Sequence, residues 1–161
     1  MVRTVPVVFR ARRARETELV SRLTRRVSLR ELDINWHMNQ ARYAQVMELG
    51  RVDWYLRSGS EAQLRRHGVK MVVAEQRIVY RRELKLGTTY VIDTRALGVE
   101  GRLLNLQSAL LVGERVHALN DTKMIFIGAD GVLKPARAEE VCEGLSTAPL
   151  MIDDWRVVAR A

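Results

Sequence analysis

Over residues 40–56 the chain carries apolar side chains at Ala41, Tyr43, Ala44, Val46, Met47, Leu49, Val52, Trp54, Tyr55 and Leu56, with Gly50 among them, and leaves only a narrow polar strip. This spacing predicts one long helix buried nearly all round. The turn residues Arg57, Ser58, Gly59 and Ser60 end it, and 61–68 reads as a short helical turn closing on Gly68. Elsewhere the period falls to two. Segments 18–29, 69–80, 88–97, 103–112 and 116–127 alternate or concentrate β-branched and apolar residues, and Gly87, Gly98, Gly101, Gly113 and Gly128 mark most of the turns. The order is therefore strand, long helix, four strands. Successive strands without intervening helices predict an antiparallel meander wrapped around the one helix, an α+β architecture of five or six strands. The acidic piece 138–144 is helical in pattern, and the tail 146–161 is expected to add an edge strand or to clasp a partner subunit.

Candidate chemistry collects just before the long helix. Asp33, Asn35 and His37 alternate with Ile34 and Trp36. In an extended loop this places carboxylate, amide and imidazole on one side and the two apolar groups on the other. A carboxylate attacks or deprotonates water, an amide orients by hydrogen bonds, and imidazole moves protons near neutral pH. The same residue types also make turns and cap helices. The buried helix decides in favour of chemistry, because its first turn offers free backbone N–H groups near Gln40 and Ala41 that polarise a carbonyl oxygen.

The pattern D-x-N-x-H-x-N-x-x-x-Y, at Asp33, Asn35, His37, Asn39 and Tyr43, resembles the hotdog-fold acyl-thioester hydrolases. It is similar to the loop of plant acyl-carrier-protein thioesterases, and Asp33 falls where the 4-hydroxybenzoyl-CoA thioesterase-like group has its catalytic Asp. The likeness in organisation runs over about 18–140, with residue-level identity confined to the loop and helix. Gln40, where many relatives carry a second Asn, and the missing Gly-rich step after Asp33 are departures. The resemblance implies a hotdog fold and thioester hydrolysis, with Asp33 as base or nucleophile, Asn35 orienting carbonyl or water, and His37 assisting proton transfer. It implies a substrate-binding surface at Asn39, Gln40, Ala41 and Tyr43. Glu48 matches the depth at which some hotdog enzymes place a catalytic helix carboxylate, although an ion pair with Arg51 is its simpler role. Arg81 and Arg82 suit the phosphates of coenzyme A or an acidic acyl carrier protein, although an ordinary charged strand end is the simpler reading of either residue. Coenzyme A is then part of the substrate and no separate cofactor is expected. Sites between subunits, hence a homodimer or homotetramer, are also implied.

Composition refines this picture. With 161 residues and 47% hydrophobic content, one domain over 18–161 is expected, preceded by a basic arm at 1–17. The first thirty residues hold nine Arg against Glu16 and Glu18, and so carry seven of the eight net positive charges. No nucleic-acid motif accompanies them, and a nucleic-acid partner is not expected. No apolar run approaches the ~20 residues of a membrane span, so a cytoplasmic protein is expected. The single cysteine, Cys142, excludes an internal disulfide and reads as a packing residue. His37, His67 and His117 lack metal-ligand spacing, and His67 and His117 carry no evident chemistry. The glycine motifs of nucleotide, dinucleotide and serine-hydrolase sites are missing as well. A binding protein that retains acyl thioesters without turnover is the alternative, and a basic-arm interaction protein that merely dimerises is a third reading.

Overall fold

The computed structural model describes residues 20–145, 147–153 and 155; the predicted basic arm, 1–17, lies outside the described residues, as does the segment 156–161. A first strand, β1 (Val20–Arg26), is followed by a single 3-10 turn at Leu29–Glu31 and the long helix α1 (Gln40–Arg57). A short helix α2 (Ser60–Arg66) leads into β2 (Lys70–Tyr80), β3 (Thr89–Glu100), β4 (Leu103–Val112), β5 (Arg115–Gly128) and the two-residue β6 (Gly131–Val132). Helix α3 (Pro135–Cys142) closes the regular structure. The strands form one six-stranded antiparallel sheet in the order β1-β3-β4-β5-β2, with β6 on β5.

Only β3, β4 and β5 form the expected meander. Strand β2 does not pair with β3 but crosses to the far edge, against β5. Sequence neighbours are thus separated by three strand positions, an arrangement set by long-range register that no local period encodes. The helix also differs from its expected all-round burial. Tyr43, Val46, Met47, Leu49, Gly50, Asp53 and Trp54 are buried, whereas Gln40, Ala41, Gln45 and Glu48 are exposed. One face is packed on the sheet, and the other is left to solvent.

The packing of α1 is fixed at one point. A Cβ on Gly50 would lie 2.3 Å from Thr94 Oγ1 and 2.8 Å from Ile92 Cγ2. Only glycine permits this approach. Beneath it runs a buried polar row across four strands, Ser21 opposite Thr94, Thr94 opposite Ser108, and Ser108 opposite Asn120. Thr94 Oγ1 and Ser108 Oγ share a hydrogen bond at 2.9 Å, and Asn120 Nδ2 donates to Thr122 Oγ1 at 3.0 Å. Ser21 Oγ donates to Asp53 Oδ2 on α1 at 2.7 Å, and Arg57 Nε donates to the same oxygen at 2.9 Å. The row separates two apolar clusters. One, containing Val46, Met47, Leu49, Ile92 and Leu110, underlies the start of α1. The other, containing Trp54, Leu64, Leu106, Phe126 and Val141, underlies its end. Cys142 belongs to this second cluster, as its packing role predicts, and burial pushes its thiol up to about 11.

Among the described residues the tail adds no strand to the sheet and lies against Gln107 of β4. Gln107 Oε1 accepts from the Met151 and Ile152 amides at 3.0 and 3.1 Å, and its Nε2 donates to the Ile152 carbonyl at 2.8 Å. Arg77 lies 5.0 Å from the Trp155 ring centre. Gln107 sits between Leu106 and Ser108, which face α1, so the tail covers the opposite face of the sheet.

The Gly50 contact yields a direct test. Gly50→Ala is expected to lower stability by about 1–3 kcal/mol through overpacking, despite alanine's better helix propensity, and Thr94→Ala in the same chain should restore part of the loss. Urea unfolding midpoints decide it; an unchanged or higher midpoint for Gly50→Ala contradicts the close approach.

Candidate active site

The segment before α1 is a tight hairpin turn, not the extended loop that its alternation predicts. Leu32 bridges Met38, the Asp33 amide donates to the His37 carbonyl at 3.0 Å, and the Trp36 amide donates to the Asp33 carbonyl at 3.1 Å. Asp33 itself causes the turn, since its Oδ1 accepts the Asn35 amide at 2.8 Å. A three-residue hairpin loop of this kind needs a left-handed residue in third place. Trp36 fills it at φ 61°, where glycine would be unstrained. Ile34 and Trp36 therefore stand at the tip, 93% and 72% exposed, instead of turning inward.

The polar residues nevertheless share one space. Asp33, Asn35, His37 and Gln40 line a cavity of about 610 Å3, with Arg81 and Arg82 across from them. His37 Nδ1 is 3.8 Å from Asp33 Oδ1, beyond direct hydrogen bonding but within ion-pair reach when the imidazole is protonated. The turn is anchored on both sides. The Met38 amide donates to the Leu84 carbonyl at 2.7 Å, and the Asn39 amide donates to the Glu31 carbonyl at 2.8 Å. Glu31 is in turn fixed by the Ser28 amide and hydroxyl, at 2.8 and 2.9 Å from its Oε2.

Asn39 and Ala41 do not line the cavity. Asn39 caps α1, its Oδ1 accepting the Ala41 amide at 2.9 Å, which removes that amide from the donors expected for a substrate carbonyl. The Gln40 amide finds no acceptor among the described residues and stands at the same helix start. Tyr43 does line the cavity, but its hydroxyl is engaged, accepting the Leu84 amide at 3.2 Å and donating to the Arg82 carbonyl at 3.4 Å. Its ring meets Tyr80 edge to face at 5.2 Å. Tyr43 thus holds the wall that presents the two arginines. Glu48 is apart from all of these, exposed on α1 and lining a different cavity with Arg51.

His117, set aside in the sequence, belongs to this architecture. Between the pairs Leu110–Ala118 and Leu111–Val116 it is the extra residue of a β-bulge. Its carbonyl accepts the Arg81 and Arg82 amides at 2.8 and 3.0 Å, and its Nδ1 donates to the Glu83 carbonyl at 3.0 Å. Burial lowers its pKa below the ordinary histidine value and favours the neutral ring. No alternation pattern signals such a residue; only the register shift shows it. Among the described residues, no three His, Cys, Asp or Glu side chains gather as a metal ion requires.

The profile of the thioesterase-like superfamily matches residues 27–145, from the end of β1 past α3. The chain belongs to this superfamily. Protein THEM6 of Xenopus laevis is 35% identical to it over 91 residues, 56% of this chain and 41% of that protein. The chain spans about two fifths of the length of this curated relative. The probable thioesterase YbaW of Escherichia coli superposes with a TM-score of 0.71 at 23% identity, over 79% of this chain and 99% of its own. The hypothetical protein SAV2348 of Staphylococcus aureus, solved in complex with CoA, gives 0.67 at 16% identity over 92% and 97%. These likenesses establish the hotdog fold that the loop and helix imply: a curled antiparallel sheet around α1.

Burial also makes the thioesterase-like fold sensitive to alkali. It pushes the Tyr43 and Tyr90 phenols up to about 12, because the phenolate loses solvation in the core. A folded value above the unfolded ~10 means that this stabilisation is complete below about pH 10 and is lost as pH rises from 10 through 12. Phenolate absorbance should show Tyr43 and Tyr90 ionising only near that limit, together with loss of structure. Tyr43→Phe should remove one late step and cost about 1 kcal/mol for its hydrogen bonds. Tyr43 and Tyr90 titrating near the ordinary ~10 in an intact fold would contradict the buried site wall.

Proposed function

We propose that this protein is an acyl-CoA thioesterase that uses the cavity between the Asp33 turn and the Arg81–Arg82 segment. The observation that carries the reading is the meeting, in one cavity at the start of α1, of a carboxylate, an amide and an imidazole with two guanidinium groups. Membership of the thioesterase-like superfamily supports hydrolysis of a thioester in general, and a hotdog neighbour solved with CoA supports the leaving group.

The thioester carbonyl lies over the first turn of α1 with its oxygen toward the Gln40 amide, where the helix end stabilises the developing oxyanion. Asp33 Oδ1 is held by the Asn35 amide, which leaves Oδ2 to take a proton from the attacking water. Asn35 orients that water. Collapse of the tetrahedral intermediate breaks the C–S bond, and the proton taken from water passes from Asp33 by way of His37 to the departing thiolate, leaving free acid and coenzyme A thiol. Arg81 and Arg82 hold the phosphates of the coenzyme or the acidic face of a carrier protein.

A homodimer completes this arrangement. Among the described residues strand β2 is one edge of the sheet, and Val72, Val73 and Tyr80 on it are 40%, 46% and 37% exposed. Long exposed apolar edges pair or aggregate. A two-fold pairing of β2 with a second copy brings the Tyr80 end of one strand to the Lys70 end of the other, and so sets the Glu48 cavity of the second copy beside the Asp33 cavity of the first.

Thiol release from short, medium, long and aromatic acyl-CoA substrates tests the reading, comparing the wild type with Asp33→Asn and Arg82→Gln. Turnover with a preferred acyl group is expected, lowered at least ~100-fold in kcat by Asp33→Asn and shifted mainly in KM by Arg82→Gln. Release that is equal in Asp33→Asn removes Asp33 from the chemistry. Acyl-CoA binding without release in either protein replaces the enzyme by a binding protein.

A further inference from the structure

Arg51 is the charged group that the proposed reaction leaves unused. It lies on α1 and lines a second cavity, about 590 Å3, between that helix and β2. Val52, Tyr55, Met71, Val73 and Met124 give this cavity mainly apolar walls. The guanidinium is part-buried, its Nη1 is enclosed, and it makes no hydrogen bond or ion pair with any described residue. Glu48, three residues earlier, attracts it through space but is exposed and does not pair with it. Lys70, the other cation at the rim, is exposed on β2. Burial weakens Arg51's hold on its proton, yet an arginine keeps its charge at neutral pH. A partly desolvated cation without a partner among the described residues is costly and is relieved when an anion enters the same low-dielectric space.

We propose that this cavity binds an apolar molecule by a terminal carboxylate, with Arg51 as the receptor of that carboxylate. The planar guanidinium matches a carboxylate with two parallel hydrogen bonds, and the apolar walls take the attached chain. The volume falls within the ~300–1,000 Å3 typical of small-molecule sites. The carboxylate has two possible sources, both resting on the thioesterase reading: the acid released by hydrolysis, or the far end of a dicarboxylic acyl group. Binding of a free acid does not rest on that reading.

Isothermal titration with octanoate and with octanol, using the full chain and its Arg51→Gln and Arg51→Met variants, tests the proposal. The wild type should bind octanoate at least ~10-fold more tightly than octanol, the factor expected of a charge-assisted hydrogen bond, and both variants should lose this preference. Equal binding of acid and alcohol by the wild type, or a preference kept in Arg51→Gln, overturns it. Melting of Arg51→Met supplies a second readout, because removing a part-buried charge that has no partner among the described residues should leave Tm unchanged or higher; a drop of several degrees assigns Arg51 to structure and overturns the receptor role. Kinetics then separate the sources. Octanoate inhibition of octanoyl-CoA hydrolysis that disappears in Arg51→Gln identifies the released acid, whereas a KM advantage of octanedioyl-CoA over octanoyl-CoA that disappears in the variant identifies the far carboxylate. Octanoate binding without thioester turnover upholds the cavity as a carboxylate site and separates it from hydrolysis.

Discussion

The close approach of α1 to β3, made at Gly50 over Thr94, is the constraint on which the rest of the structure depends. It sets the depth at which the helix lies in the curl of the sheet. The polar row of Ser21, Thr94, Ser108 and Asn120 fixes where along the sheet that contact falls, because Asp53 on α1 must meet Ser21. Apolar packing alone is indifferent to small slides of a helix over a sheet. Buried hydroxyls and a buried carboxylate are not, since each loses its partner when the helix moves. Two apolar clusters, one on each side of the row, then supply the hydrophobic stabilisation.

The candidate site follows from that placement. Once α1 is fixed, Tyr43 in its first turn reaches the Arg82–Leu84 backbone, and the hairpin before the helix is tied to Glu31 on one side and Leu84 on the other. The bulge at His117 bends β5 so that its carbonyl grips the amides of Arg81 and Arg82. Asp33, His37, Arg81 and Arg82 therefore line one cavity, held there largely by backbone contacts. A hydrolytic site of the kind proposed requires such preorganisation.

Much of this was legible in the sequence where local periodicity governs structure. The helix 40–56 became Gln40–Arg57, and the strand 103–112 appears as Leu103–Val112, because dense apolar positions and turn glycines leave little choice. The short acidic helix before Cys142 was legible for the same reason. What escaped depends on contacts distant in sequence or on a side chain bonding its own backbone. Alternation at 33–37 reads as extended, but the Asp33 carboxylate captures the Asn35 amide and folds the segment into a turn, which exposes Ile34 and Trp36. The crossing of β2 to the far edge and the bulge at His117 belong to register. Asp33, Asn35 and His37 line one cavity, as does the separate strand-end pair Arg81 and Arg82, whereas Glu48 lines another and the Ala41 amide is occupied by its cap.

A crystal structure of the protein with a non-hydrolysable ketone analogue of acyl-CoA bound, in which a methylene replaces the thioester sulfur, is the most direct measurement of the central claim. The account predicts the acyl carbon surrogate beside Asp33 at the start of α1, within hydrogen-bond reach of the Gln40 amide on its oxygen side, and the coenzyme phosphates against Arg81 and Arg82. An analogue seated elsewhere, with the Asp33 cavity untouched, would contradict it.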